Sequence, residues 1–182
     1  MERLPTRLQG PILLAPTAHG DARGFFTESY RVDAWTAAGV DATFVQDNHS
    51  RSARGVVRGM HVTLGPGQAK LVRCARGRIW DVVVDVRTSS PTYGEWEGFE
   101  LDDESLHQLY VPLGFAHGFC VLSEIADVTY KVSSYYDPEY ERGFAYDDPD
   151  VAIPWPADVE LQVSERDRTA PPLSALRADL PW

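Results

Sequence analysis

From Lys70 to Arg87 the chain reads KLVRCARGRIWDVVVDVR, and no other stretch limits its fold so tightly. The run is rich in β-formers and breaks once, at Ala75-Arg76-Gly77. After the break Trp80, Val82, Val84 and Val86 alternate with Asp81, Val83, Asp85 and Arg87. Alternation with a period of two is a strand signal, so this region predicts two successive strands, one of them with a thoroughly apolar face. HQLYVP, GFAHGFCVLS and DVTYKVSSYY follow at short spacing between proline and glycine signals, the pattern of a sandwich, barrel or jelly roll. Helical periodicity is confined to RVDAWTAAGV, ended by Gly39, and PPLSALRADL near the C-terminus. The fold class expected is therefore all-β, with a few short peripheral helices. No repeat or linker interrupts the 182 residues, a length that suits one well-filled domain over 1–182. From Asp147 onward, DPDVAIPWP and TAPPL are too proline-rich for regular structure and too apolar for a free tail, so this segment is expected to pack back across the barrel.

Charge and composition exclude several roles. A net charge of -10 repels a phosphodiester backbone, and no basic stripe offsets it, which argues against nucleic acid as a partner. No apolar run approaches the roughly 20 residues of a spanning helix, so no membrane partner is expected. Cys74 and Cys120 sit in apolar runs without metal-ligand spacing, and no basic-then-apolar leader opens the chain. A cytoplasmic location is the expectation.

Three side chains stand out as chemistry in apolar surroundings. In GVVRGMHV, alternation puts Val57, Gly59 and His61 on one face, where the small neighbours leave room beside the imidazole. Alone, His61 reads equally as a satisfied core histidine. Lysine occurs only at 70 and 131, and Lys70 shares its parity with Val72 and Cys74, so its ammonium points inward and needs an anion to meet. In DVTYKV, Tyr130 shares a face with Val128 and Val132 while Lys131 points away; by itself Tyr130 reads as a packing residue.

Two short motifs connect these residues to known proteins. Gly55 is followed by five residues and His61, and Pro112, Gly114 and His117 form Pro-x-Gly-x-x-His. This pair resembles the two motifs of the cupin superfamily, and the resemblance implies a cupin-type jelly roll. In metal-binding cupins two further ligands complete the first motif. Here those positions are Thr63 and Gln68 or Ala69, so no metal and no cofactor are expected, and the histidines are free for acid-base work.

The resemblance then narrows. DARGFFTESY, FVQDNHSRS, VVRGMH, QAKLVR, DVVVDVR, PLGFAHGF, TYKVSSYY and VSERD, in this order, are similar to the dTDP-4-dehydrorhamnose 3,5-epimerase family from about Arg23 to Asp167. The resemblance implies that His61 is the general base, Asp167 the acid partner that holds its imidazole, Tyr130 the proton donor, and Lys70 the group facing the sugar carbonyl. It carries nucleotide and diphosphate contacts onto Arg23, Phe26, Glu28, Gln46, Asp47, Asn48 and Arg58, and gives His117, Tyr136, Glu141 and Arg166 a place lining or closing the site. It also implies a dTDP-4-keto-6-deoxy sugar as substrate and a homodimer in which the Arg23–Glu28 segment reaches into the partner's site.

These groups suit the implied reaction. A 4-keto sugar is acidic at the carbons beside its carbonyl, so inversion needs a base on one face, an acid on the other and a cation for the developing oxyanion. Arg58 and His61 must then both face the ligand, which strict alternation forbids; a twist or bulge near Gly59 is expected. Relatives that invert C3 or C5 alone keep the same groups. From other classes, a non-catalytic sugar-nucleotide binding module and a metal-dependent cupin oxygenase remain as alternatives.

Overall fold

A computed structural model describes residues 1–182. In chain order the elements are β1 (Glu2–Leu4), β2 (Ile12–Ala15), β3 (Ala18–Asp21), β4 (Gly24–Thr27), α1 (Val32–Ala37), β5 (Gln46–Ala53), β6 (Val56–Thr63), β7 (Lys70–Arg76), β8 (Arg78–Asp85), β9 (Trp96–Asp102), β10 (Gln108–Val111), β11 (Phe115–Val121), β12 (Ile125–Val132), β13 (Glu141–Gly143), β14 (Gln162–Val163), α2 (Glu165–Arg168) and α3 (Leu173–Leu176). One sheet runs β1-β2-β10-β7-β12-β5. The facing sheet runs β13-β6-β11-β8-β9, with β14 added in parallel to β6. From β5 to β8, and again from β10 to β12, the chain crosses from one sheet to the other at each strand, as in a cupin-like jelly roll. The turn at Ala75–Gly77 connects β7 to β8, with Gly77 at a φ of +80 that favours glycine.

Between the sheets lies a core of Val72, Cys74, Ile79, Val83, Leu109, Phe119, Val128 and their neighbours. The apolar face of β8 is not part of it. Val82, Val84 and Val86 point outward and are covered by Val151, Ile153, Leu173, Leu176 and Leu180 of the C-terminal segment. That segment thus packs back across the sheet, as its composition predicts, and completes burial worth roughly 1.5–3 kcal/mol per valine. The parity that carries Asp81 and Asp85 is the one turned inward, and both carboxylates are fully buried.

The outer face of the first sheet is covered by α1, which spans less of RVDAWTAAGV than its periodicity suggests. Trp35 packs there with Ile12, Leu14, Leu71 and Tyr110, and its Nε1 donates to Gln108 Oε1 at 3.1 Å. Gly39 at a φ of +100 follows the helix.

Two edges stay open. The β3–β4 hairpin pairs with no other strand, and it holds Phe25 and Phe26 at 60% and 66% exposure. β5 is the last strand of its sheet, and its outer side bonds to nothing.

Candidate active site

Residues of both sheets enclose a cavity of about 640 Å³, a volume suited to a small ligand. Its walls are Arg58 and His61 from β6, His117 and Phe119 from β11, Lys70 from β7, Ser50 and Tyr130 from β5 and β12, and Glu141, Arg166 and Asp167 from the later chain.

β6 brings Arg58 and His61 to this one cavity through an irregularity. His117 pairs with His61 but Phe119 pairs with Arg58, so three steps on β6 match two on β11. The extra residue is a bulge, the irregularity expected near Gly59 from the roles implied for Arg58 and His61, and it turns both side chains inward. Gly59 sits in it at a φ of +125. A Cβ there would lie 2.6 Å from Gly118 Cα and 2.9 Å from the His117 carbonyl oxygen, so glycine is needed for both conformation and approach.

Asp167 reaches His61 from the other end of the chain because of a local cap. Ser164 precedes α2 and its hydroxyl accepts from the Asp167 N–H at 3.1 Å, which starts the helical turn. The Asp167 carboxylate is thereby turned onto His61 Nε2 at 2.7 Å and onto the Gly59 N–H at 3.4 Å. Burial alone would raise the Asp167 pKa. The hydrogen bond and charge of His61, with the Gly59 and Ser164 contacts, outweigh it and hold the carboxyl below its ordinary value. With Asp167 ionised, Nε2 carries the proton and Nδ1 is left as the basic nitrogen.

Lys70 and Tyr130 stand on the opposite sheet. Burial lowers the Lys70 pKa, and the carboxylates of Glu141 and Asp81 pull it back only in part. Burial and the Glu141 charge raise the Tyr130 phenol, against the smaller influence of Arg58. A proton-holding phenol thus faces an imidazole across the cavity, with an ammonium beside it.

The other expected residues are spread from the cavity wall to the free hairpin. His117 is buried in the wall, its Nε2 2.9 Å from both oxygens of Asp81. Tyr136, Glu141 and Arg166 line the mouth, where Arg166 Nη1 donates to Glu141 Oε2 at 3.3 Å. Arg58 Nε donates to Ser52 Oγ at 3.1 Å, which leaves its terminal nitrogens for a ligand. Gln46 and Asn48 precede Ser50 on the inner face of β5 and bond each other at 2.8 Å. Asp47 lies on the outer face of that strand, held by Lys131 Nζ at 2.6 Å, and does not line the cavity. Arg23, Phe26 and Glu28 are on or beside the free hairpin, away from the cavity of their own chain. The Arg23 side chain is 90% exposed and paired to Asp21, and Glu28 is paired to Arg31.

Asp81, Ser50, Ser52 and Ser164 were not singled out from sequence. Asp81 carried a usable signal, an acid inside a valine-rich strand. Ser164 carried another, the Ser-x-x-Asp spacing of a helix cap.

The family described as dTDP-4-dehydrorhamnose 3,5-epimerase has a sequence model that matches residues 5–175. The chain belongs to this family. The dTDP-4-dehydrorhamnose 3,5-epimerase of Pseudomonas aeruginosa is 49% identical over 166 residues, 90% of this chain and 92% of that protein. A dTDP-4-dehydrorhamnose 3-epimerase of Streptomyces niveus is 45% identical over 172 residues, 93% of this chain and 83% of that one. Among solved structures, a dTDP-6-deoxy-D-glucose-3,5-epimerase from Legionella pneumophila, in complex with dTDP-4-keto-L-rhamnose, superposes with a TM-score of 0.94 at 42% identity, covering 97% of this chain and 95% of that one. As a member of the epimerase family the protein is an isomerase, and His61, Lys70, Tyr130 and Asp167 line one cavity between its sheets.

Proposed function

We propose that this protein converts dTDP-4-dehydro-6-deoxy-D-glucose to dTDP-4-dehydro-L-rhamnose by inverting C5 and C3. The observation that carries the reading is the arrangement of His61, locked through Nε2 at 2.7 Å to Asp167, opposite Tyr130 and Lys70 on the other sheet. Nδ1 of His61 removes the proton beside the carbonyl, the C–H electron pair moves into an enolate, and Lys70 stabilises the oxygen that becomes negative. Tyr130 returns a proton from the opposite face, so the centre is inverted. Arg58 and Arg166 hold the diphosphate, with His117, Tyr136 and Glu141 around the sugar.

The nucleotide contacts of Arg23, Phe26 and Glu28 are proposed to come from the hairpin of a second copy, which makes the protein a homodimer. Support comes from the hairpin's lack of strand partners, its exposed phenylalanines and the open edge of β5. We place the enzyme in the cytoplasm, where Cys74 and Cys120, both free thiols, stay reduced. No helix is long and apolar enough to cross a membrane. The 45% identity to a 3-epimerase favours one second reading, inversion of C3 alone.

The test is proton exchange. The protein is incubated with dTDP-4-dehydro-6-deoxy-D-glucose in deuterated water and followed by NMR. Deuterium at C3 and C5 supports double inversion, and deuterium at C3 alone the second reading. No exchange, with a control enzyme active on the same substrate, refutes both.

A further inference from the structure

Two inversions on one sugar raise a problem that the four central groups do not solve. After the first, His61 holds a proton on Nδ1 and Tyr130 has lost one, so the base must be emptied before it can attack the second carbon. Asp167 cannot take that proton. It meets Nε2, on the far side of the ring, its side chain is only 7% exposed, and its second oxygen already accepts from the Gly59 N–H.

The carboxylate that faces Nδ1 belongs to Glu141. β13 pairs with β6 so that Glu141 stands opposite Thr63 and Gly143 opposite His61, which sets the glutamate two residues along the same edge as the imidazole. Its Oε1 is 4.0 Å from Nδ1, about 1 Å beyond a hydrogen bond and within reach of a small side-chain rotation. Its Oε2 is 3.3 Å from Arg166, whose side chain is half exposed, and the Tyr136 hydroxyl lies beside it at the mouth. The same carboxylate is thus near the base on one side and solvent on the other.

We propose that Glu141 is the proton outlet of His61, carrying the abstracted proton from Nδ1 to water between the two inversions. The inference rests on the epimerase reading above. In the step the Nδ1–H bond breaks and its electron pair stays on the imidazole; the proton bonds to Glu141 Oε1 and then passes to water. The Tyr130 phenolate takes one proton from water, so the exchange with solvent balances. Glu141 touches neither reacting carbon in this scheme and works through His61.

The experiment uses Glu141→Gln and Glu141→Asp in the full chain, with rapid-quench single turnovers in deuterated water and steady-state rates, each with and without formate. With Glu141→Gln the second inversion should slow about tenfold or more relative to the entry of the first deuterium, and kcat should fall with it. Formate should restore part of that loss, and Glu141→Asp should retain more activity than Glu141→Gln. The proposal is overturned if kcat is unchanged, if both inversions slow equally, if formate has no effect, or if Glu141→Gln no longer binds dTDP by calorimetry, which would show a binding or structural role. Wild-type protein that exchanges no deuterium would instead remove the epimerase reading, and this proposal with it.

Discussion

Asp167→Asn removes one charge and leaves the volume of the site unchanged, so it isolates what the carboxylate does for His61. The side chains meet at 2.7 Å with Asp167 almost sealed from solvent and His61 about one quarter exposed. Taking the charge centres as about 4–5 Å apart at an effective dielectric of about 20 gives roughly 4 kcal/mol of attraction once the imidazole is protonated. Partial exposure of His61 screens this, leaving about 3 kcal/mol, a loss of about 10²-fold in kcat. An asparagine amide that donates to Nε2 also favours the tautomer with the proton on Nδ1, which is no longer a base, so the loss can only grow. The assay is steady-state conversion of the 4-keto sugar, with KM expected to change less than about threefold because Asp167 lies behind the imidazole. A folded variant that binds dTDP normally and keeps kcat within about fivefold of wild type would refute the assignment.

Two more perturbations follow from the geometry. Lys70 has a lowered pKa, so as pH rises its ammonium is lost below the ordinary lysine value of 10.5, and the loss of oxyanion stabilisation gives an alkaline fall in kcat; the Tyr130 phenol is shifted upward and keeps its proton to higher pH than a free phenol. Lys70→Met should cost about 10²–10³ in kcat and abolish that limb of the pH profile, and an unchanged alkaline limb in the variant would contradict the role. Gly59→Ala forces a Cβ against backbone at 2.6 Å and 2.9 Å from a positive φ. Thermal or urea unfolding should show about 2–4 kcal/mol of destabilisation, and a loss under about 0.5 kcal/mol would mean that the bulge is more yielding than described.

Much of this fold is local in origin, which is why the sequence reveals it. Alternation from Lys70 to Arg87 reports strands, Gly77 the turn and Gly39 the helix end, since each depends on neighbours within a few residues. The bulge at Gly59 was legible for a different reason: Arg58 and His61 could serve one ligand only if the alternation failed between them. The same local rule could not say which face of β8 is the interior. Val82, Val84 and Val86 look like the core, yet the core-facing side is the one that holds Asp81, Val83 and Asp85, and those three valines lie beneath the C-terminal segment.

The candidate site is non-local, and there the tertiary structure decided. His61 and Asp167 are 106 positions apart, and nothing in either segment states that they meet. Asp81 and Asp85 share one strand and one parity, but Asp81 joins His117 while Asp85 is taken by Arg87, Ser90 and Thr92. Asp85 is met by the loop that follows its own strand, whereas Asp81 is met by His117 from the neighbouring strand, 36 positions away. The family resemblance gave Asp47 a ligand contact together with Gln46 and Asn48, and a period of two sends it to the outer surface. By itself the sequence determined the strands, the turns and the types of group available for acid-base chemistry, because propensity and side-chain pKa are properties of short segments. Which groups share a cavity, and which carboxylate faces which nitrogen, was set by the packing of two sheets, because hydrogen bonds depend on distances that only the closed jelly roll defines.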